Sequence, residues 1–194
     1  MKKMINGKRT NQITAFLKSL NIKSKRFSEI IKTRNISVIQ DFNQAFIHSS
    51  EDKIINYEKL EFFGDAVLRL AASNFIEKKY PQMSVGERSE LRAQIVSDEW
   101  LTKLGRKIEI DKLIIKGPKA LGDENSKNTI IGEATEALIG ALYKCFNSIQ
   151  EVNLWLDDIW EEDSEIFLKA PYKFKSKTVL QAVSYTHLRA HETS

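Results

Sequence analysis

Residues Glu58–Leu68, EKLEFFGDAVL, constrain the chain more than any other stretch. Glu58, Glu61 and Asp65 stand at i, i+3 and i+7, so on a helix they share one face. Leu60, Phe62, Phe63, Val67 and Leu68 beside them are apolar. Acids one turn apart repel by a few tenths of a kcal/mol when exposed, and by more once partly buried. A multivalent cation offsets that repulsion. Gly64, inside the run, costs ~1 kcal/mol against alanine, the expected mark of a close backbone approach to another element.

A second acidic pair lies far down the chain, in Ile130–Leu142, IIGEATEALIGAL. Glu133 and Glu136 are i and i+3 on an apolar helix, with Gly132 and Gly140 nearby. Two apolar helices with inward-tending carboxylates can pack side by side and form an all-oxygen site, which suits magnesium or manganese. The plainer reading is a solvated acidic stripe. It is weaker here because the acids are interleaved with glycines and bulky apolar groups.

These two blocks carry a resemblance. EKLEFFGDAVL resembles the signature helix of the ribonuclease III family of double-stranded RNA endonucleases, and IIGEATEALIGA resembles that family's second acidic helix. AFIHSS (Ala45–Ser50) and LRAQIVSDEWL (Leu91–Leu101) match two further family blocks in the same order. The likeness covers roughly residues 10–168. It implies an all-α ribonuclease III endonuclease domain that works as a homodimer.

The bulk properties fit such a domain. A 194-residue chain, 42% hydrophobic and 29% charged, allows one well-cored domain and an appendage. No apolar run approaches the ~20 residues that span a bilayer. The basic N-terminus has no apolar stretch behind it, so no secretory signal is expected. The single cysteine, Cys145, excludes an internal disulfide and a cysteine-rich zinc site; its apolar neighbours place it in the core. A cytoplasmic protein without membrane contact is expected. Charge is uneven within the net +4: residues 1–57 hold eleven Lys/Arg against four Asp/Glu, and residues 151–165 hold seven acids and no base. A basic amino-terminal portion suits a polyanion, although ordinary solubility charge reads the same way.

The pattern predicts a loose tail over residues 1–9, then a short amphipathic helix over Thr10–Leu20 capped by Thr10 or Asn11. Another helix is expected over residues 37–47, ending in AFIHSS. His48 there reads as a hydrogen-bonded structural residue rather than a ligand or acid–base group. Asn56 is placed to cap the signature helix, which runs to Lys79 before Pro81. Ser84–Glu87 is a capping box, Ser97 caps the next helix, and residues 108–128 read as irregular. Lys116, Lys119 and Lys127 in that loop suit either RNA backbone or solvent equally. The second acidic helix is expected over Thr129–Cys145, followed by a capping box at Ser148–Glu151 and a helix whose tryptophans are core or interface.

Beyond Pro171, FKSKTVLQ resembles the opening of the double-stranded-RNA-binding domain that follows this catalytic domain in the family. Thirteen residues remain after it, AVSYTHLRAHETS, too few to complete such a domain. They read as translated adapter sequence joined to a truncated frame, so residues 169–194 are assigned as linker, binding-domain stub and artefactual tail. His187 and His191, despite their i, i+4 spacing, are not read as a metal site.

The resemblance implies magnesium-dependent (alternatively manganese-dependent) hydrolysis of duplex RNA to 5′-phosphate and 3′-hydroxyl products, in ribosomal RNA processing and RNA turnover. It places Glu61, Asp65, Glu133 and Glu136 around the catalytic metal, with Asp65 and Glu136 catalytic. Glu58 would lie at the cleft edge, serving a second metal or the RNA. Phe62 occupies the position the family uses as a plug into the partner subunit. One departure stands out: the family usually has aspartate where Glu133 stands, and the extra methylene carries the carboxylate outward by ~1.5 Å. The competing class is a non-catalytic relative that binds RNA or ribosomes structurally; such proteins lose the carboxylates, and all five acidic positions are filled here.

Overall fold

The computed structural model describes residues 5–118 and 124–169. The expectations for Lys119, the FKSKTVLQ stub, His187, His191 and the terminal tail lie outside the described residues. Among the described residues eight α-helices follow in order: α1 (Gly7–Ser19), α2 (Lys25–Thr33), α3 (Ile36–Gln44), α4 (Glu58–Lys79), α5 (Val85–Ile95), α6 (Asp98–Lys107), α7 (Glu124–Phe146) and α8 (Ile149–Lys169). A 3-10 turn, Ile110–Lys112, lies between α6 and α7. Among the described residues the only bridge is a parallel pairing of Ile47 with Ile115. No helix among them is long and apolar enough to cross a membrane.

The core is built around α7. Its Ala134, Ala137, Leu138, Ile139, Ala141 and Leu142 are buried. The α4 helix packs along it through Leu60, Gly64, Val67, Leu68, Ala71, Ala72 and Phe75, a helical stripe ending in bulkier groups. Small residues at the crossing let the two backbones touch: a Cβ built on Gly64 would fall on the Glu136 carbonyl. The close approach expected at Gly64 is therefore present, and its partner is the second acidic helix.

The α8 helix closes the far side. Trp160 is fully buried and donates its indole N–H to the Ile95 carbonyl at 3.0 Å. Trp100 donates to Asp163 at 2.8 Å. The acidic run of residues 151–165 is met by lysines from elsewhere in the chain: Lys79 pairs with Glu161, Lys78 with Asp157, Lys103 with Asp163 and Lys23 with Asp158. Exposed pairs of this kind contribute little each, but they give the acidic face a structural use within the monomer.

Several local expectations change. The first helix starts at Gly7, and Asn6, rather than Thr10 or Asn11, caps it by accepting from the Arg9 N–H at 2.9 Å. Arg9 reaches Asn43 (2.9 Å) and the Leu113 carbonyl (2.7 Å), so this part of the expected loose tail is anchored. Helix α2, capped by Ser24, occupies a stretch with no assigned element. Helix α7 begins at Glu124, five residues before Thr129. Cys145 is half-buried rather than enclosed. At Ser148–Glu151 the serine hydroxyl donates to Gln150 at 3.0 Å, and Glu151 Oε2 is buried with no hydrogen-bond partner. The capping box at Ser84–Glu87 and the Ser97 cap are as expected.

A carboxylate-lined cleft between three helices

The segment before α4 is knitted by its own hydrogen bonds. Asp52 accepts from the Ile54 and Ile55 N–H groups, both at 2.9 Å. Asn56 donates to the Asp52 carbonyl at 3.0 Å and accepts from the Glu58 N–H at 3.0 Å, capping α4 from two residues upstream. The Tyr57 N–H donates to the Ile47 carbonyl at 2.9 Å. The start of α4, and with it the first acids, is thereby fixed against the AFIHSS loop.

His48 in that loop is structural, as the sequence suggests. Ser50 Oγ accepts from the Gly117 N–H at 3.0 Å, so its own proton points to His48 Nδ1 at 2.7 Å. The Ser50 N–H also donates to Nδ1, at 3.0 Å. Nδ1 is thus an acceptor and the ring proton sits on Nε2. Burial, the leading influence, lowers the His48 pKa.

Glu61 of α4 and Glu133 and Glu136 of α7 line one cleft of about 1010 Å³. Helix α6 supplies the opposite wall with Asp98, Thr102, Lys103 and Arg106. Asp65 lies one turn beyond Glu61, outside the lining. Of the neighbouring charges it acts most strongly on Glu136. Glu58 is exposed at the first turn of α4 and is felt by Glu61, which fits the cleft edge.

The electrostatics are those of crowded acids. Burial raises Glu136 to about 8, with Asp65, Glu61 and Asp98 adding repulsion and Arg69 opposing it. Burial raises Glu61 to about 7, with Glu133 and Glu58 adding to it. Two of these acids have partners of their own. Arg69 Nε donates to both Asp65 oxygens, at 2.8 and 3.0 Å. The Tyr57 hydroxyl donates to Glu133 Oε2 at 2.5 Å.

Of the four carboxylates expected around one cation, Glu61, Glu133 and Glu136 line the same cleft and Asp65 does not. Among the described residues no three His, Cys, Asp or Glu stand as a ready metal-holding set; Asp65 is engaged with Arg69 and Glu133 with Tyr57. Three participants escaped the sequence reading. Arg69 was detectable from its i+4 spacing to Asp65. Tyr57 and Asp98 meet the acids only through the fold, with 76 residues separating Tyr57 from Glu133.

The apolar side of α4 is open next to the cleft. Phe62 is 84% exposed and Leu70 52%. Phe63 is partly covered, its ring edge-on to Tyr143 at 5.4 Å.

Comparison with known proteins bears on both faces. A protein-family model described as Ribonuclease-III-like matches residues 40–153. Ribonuclease 3 of Prochlorococcus marinus is 44% identical over 178 residues, covering 92% of this chain and 71% of the relative. A Ribonuclease 3 of Synechocystis is 36% identical over 145 residues, 75% of this chain and 59% of the relative. The chain thus spans between about half and three quarters of the curated relatives' length: 71% and 59% for these two, 54% for that of Natranaerobius thermophilus. Among solved structures, the nuclease domain of ribonuclease III from Campylobacter jejuni, described for flexibility in a region involved in dimer formation, matches with a TM-score of 0.61 at 24% identity. That match covers 80% of this chain and 97% of the other. Dicer from Pichia stipitis matches with a TM-score of 0.54 at 27% identity, over 66% of this chain and 56% of that one.

Proposed function

The chain belongs to the ribonuclease III family, and from that premise we propose that it is a cytoplasmic, magnesium-dependent endonuclease of double-stranded RNA. Its work would lie in ribosomal RNA processing and RNA turnover. The observation that carries this reading is the pairing of Glu61 with Glu133 and Glu136 in one cleft at the α4–α7 crossing.

The donor set fits a hard divalent cation. It is all oxygen, from Glu61, Asp65, Glu133 and Glu136, and manganese would serve in place of magnesium. Burial and mutual repulsion raise Glu61 and Glu136 well above an ordinary glutamate, and a cation relieves both. Asp65 would need to leave Arg69 to join the set. An ion held there by Glu61, Glu133 and Glu136 would supply Lewis-acid polarisation of the scissile phosphate and a more acidic water.

The chain's own residues do the rest. Glu136, half-buried on α7, would orient the ion once ionised and, with Asp65, is assigned the catalytic role. Lys103 and Arg106 on the α6 wall supply positive charge for RNA phosphates beside the acids. Glu58 at the cleft edge serves a second ion or the RNA. Recognition would rest on shape, 2′-hydroxyls and phosphates, since the A-form major groove admits no side chains.

The partners are duplex RNA and a second copy of the chain. Phe62, exposed on α4, is the apolar plug for that copy. Cleavage of long duplex RNA, with magnesium and with chelator, tests the activity; gel analysis of the ends tests the 5′-phosphate product.

A further inference from the structure

Tyr57 has no part in the nuclease reading, yet it is a buried side chain bonded to one of the cleft's acids. It is 1% exposed. Its ring lies edge-on to His48, centroids 5.6 Å apart, and its N–H is tied to Ile47. His48 is itself locked by Ser50, whose hydroxyl accepts from the Gly117 N–H. A phenol fixed this way has one direction for its proton, and that direction is Glu133 Oε2 at 2.5 Å.

We propose that Tyr57 is a positioning residue that pins Glu133 by Oε2, so that Oε1 is the single oxygen Glu133 offers to a divalent cation. The proposal rests on the nuclease reading and deepens it. Glutamate has one more rotatable bond than the aspartate common in the family at this position, and so more freedom to lose on ligation. Its extra methylene also gives the reach to Tyr57. The hydroxyl removes the added freedom and draws charge from one oxygen, which reduces repulsion with Glu61 across the cleft. Partners that orient a metal ligand from behind in this way matter for affinity nearly as much as the ligands do.

A double-mutant cycle on the full chain tests this, with Mn2+ binding measured by calorimetry and magnesium-dependent cleavage measured in parallel. Y57F is expected to weaken Mn2+ binding about tenfold and to raise the magnesium concentration for half-maximal cleavage by a similar factor, with KM for duplex RNA unchanged. In an E133D background, whose shorter side chain does not reach the phenol, Y57F is expected to change neither. A folded Y57F that binds Mn2+ like the wild type overturns the proposal, as does an equal loss in both backgrounds. E133Q keeps the phenol and needs no substitution at Tyr57: saturating magnesium should perturb the tyrosine near-ultraviolet band of the wild type and not of E133Q, and equal perturbation in both would also overturn it. A wild type that neither binds Mn2+ nor cuts duplex RNA sinks the nuclease reading and this inference together. A wild type that does both, beside an unaltered Y57F, sinks the inference alone.

Discussion

Gly64 of α4 and Gly140 of α7 face each other where the two helices cross. A Cβ built on Gly64 would stand 3.1 Å from the Gly140 amide nitrogen, and one built on Gly140 would stand 3.2 Å from the Gly64 amide nitrogen. Glu61 and Asp65 flank the first glycine, while Glu133 and Glu136 lie within two turns before the second. The spacing of the acids across the cleft is thus set by backbone contact.

Gly64→Ala should therefore damage fold and site together. The new methyl group meets backbone, which cannot rotate away as a side chain does, so the helices must separate. A loss of about 1–3 kcal/mol or more is expected, and Mn2+ affinity should fall with it. Thermal unfolding and calorimetry on the same sample check both. A fully stable variant with normal metal binding would show that α4 and α7 are not held together at this point.

Glu61 and Glu136 give the stability a pH dependence of definite sign. Their carboxyls, raised to about 7 and about 8 from the ordinary 4.5, keep their protons in the folded chain over a range where the unfolded chain has lost them. The folded state binds more protons there, so their contribution to stability is greatest below about pH 5 and declines as pH rises toward about 8. Ligation needs the ionised forms, so magnesium should bind better, and restore more stability, at the alkaline end of that range. Melting curves across pH with and without magnesium measure this, and E136Q should flatten the upper part of the metal-free slope.

Phe62 tests the second face. A side chain 84% exposed in one copy loses nothing on truncation unless a partner covers it. Phe62→Ala should leave the monomer's melting behaviour intact and raise the dimer dissociation constant at least about a hundredfold, from roughly 1.5–3 kcal/mol lost at each of two symmetric sites. Sedimentation over a concentration series reads the outcome. Unchanged association would place the seam elsewhere.

The sequence disclosed elements whose signals are local. Helix α4 starts and stops where Asn56 and Pro81 indicate, and Ser84, Glu87 and Ser97 cap as their types suggest. Gly64 announced a close contact that the structure supplies. Features that depend on distant partners were hidden. Arg9 looks like part of a basic tail until Asn43 and Leu113 come to it. Helix α2 buries only Phe27 and Ile31, too few for a periodic stripe to stand out. In the cleft, the acids were legible from their spacing within each helix. The restraints on them were not, because Tyr57 and Asp98 reach Glu133 and Glu136 only once three helices have packed.

Metal-dependent cleavage by Glu136 is the most direct test. Purified wild type and Glu136→Gln are incubated with long duplex RNA in magnesium and in chelator, and binding is followed on the same RNA. The wild type should cut in magnesium alone and leave 5′-phosphates, while the variant should bind the duplex and cut at least about a thousandfold more slowly, a loss of some 4 kcal/mol of transition-state stabilisation. Cutting that survives either the chelator or the glutamine would contradict the assignment of the cleft.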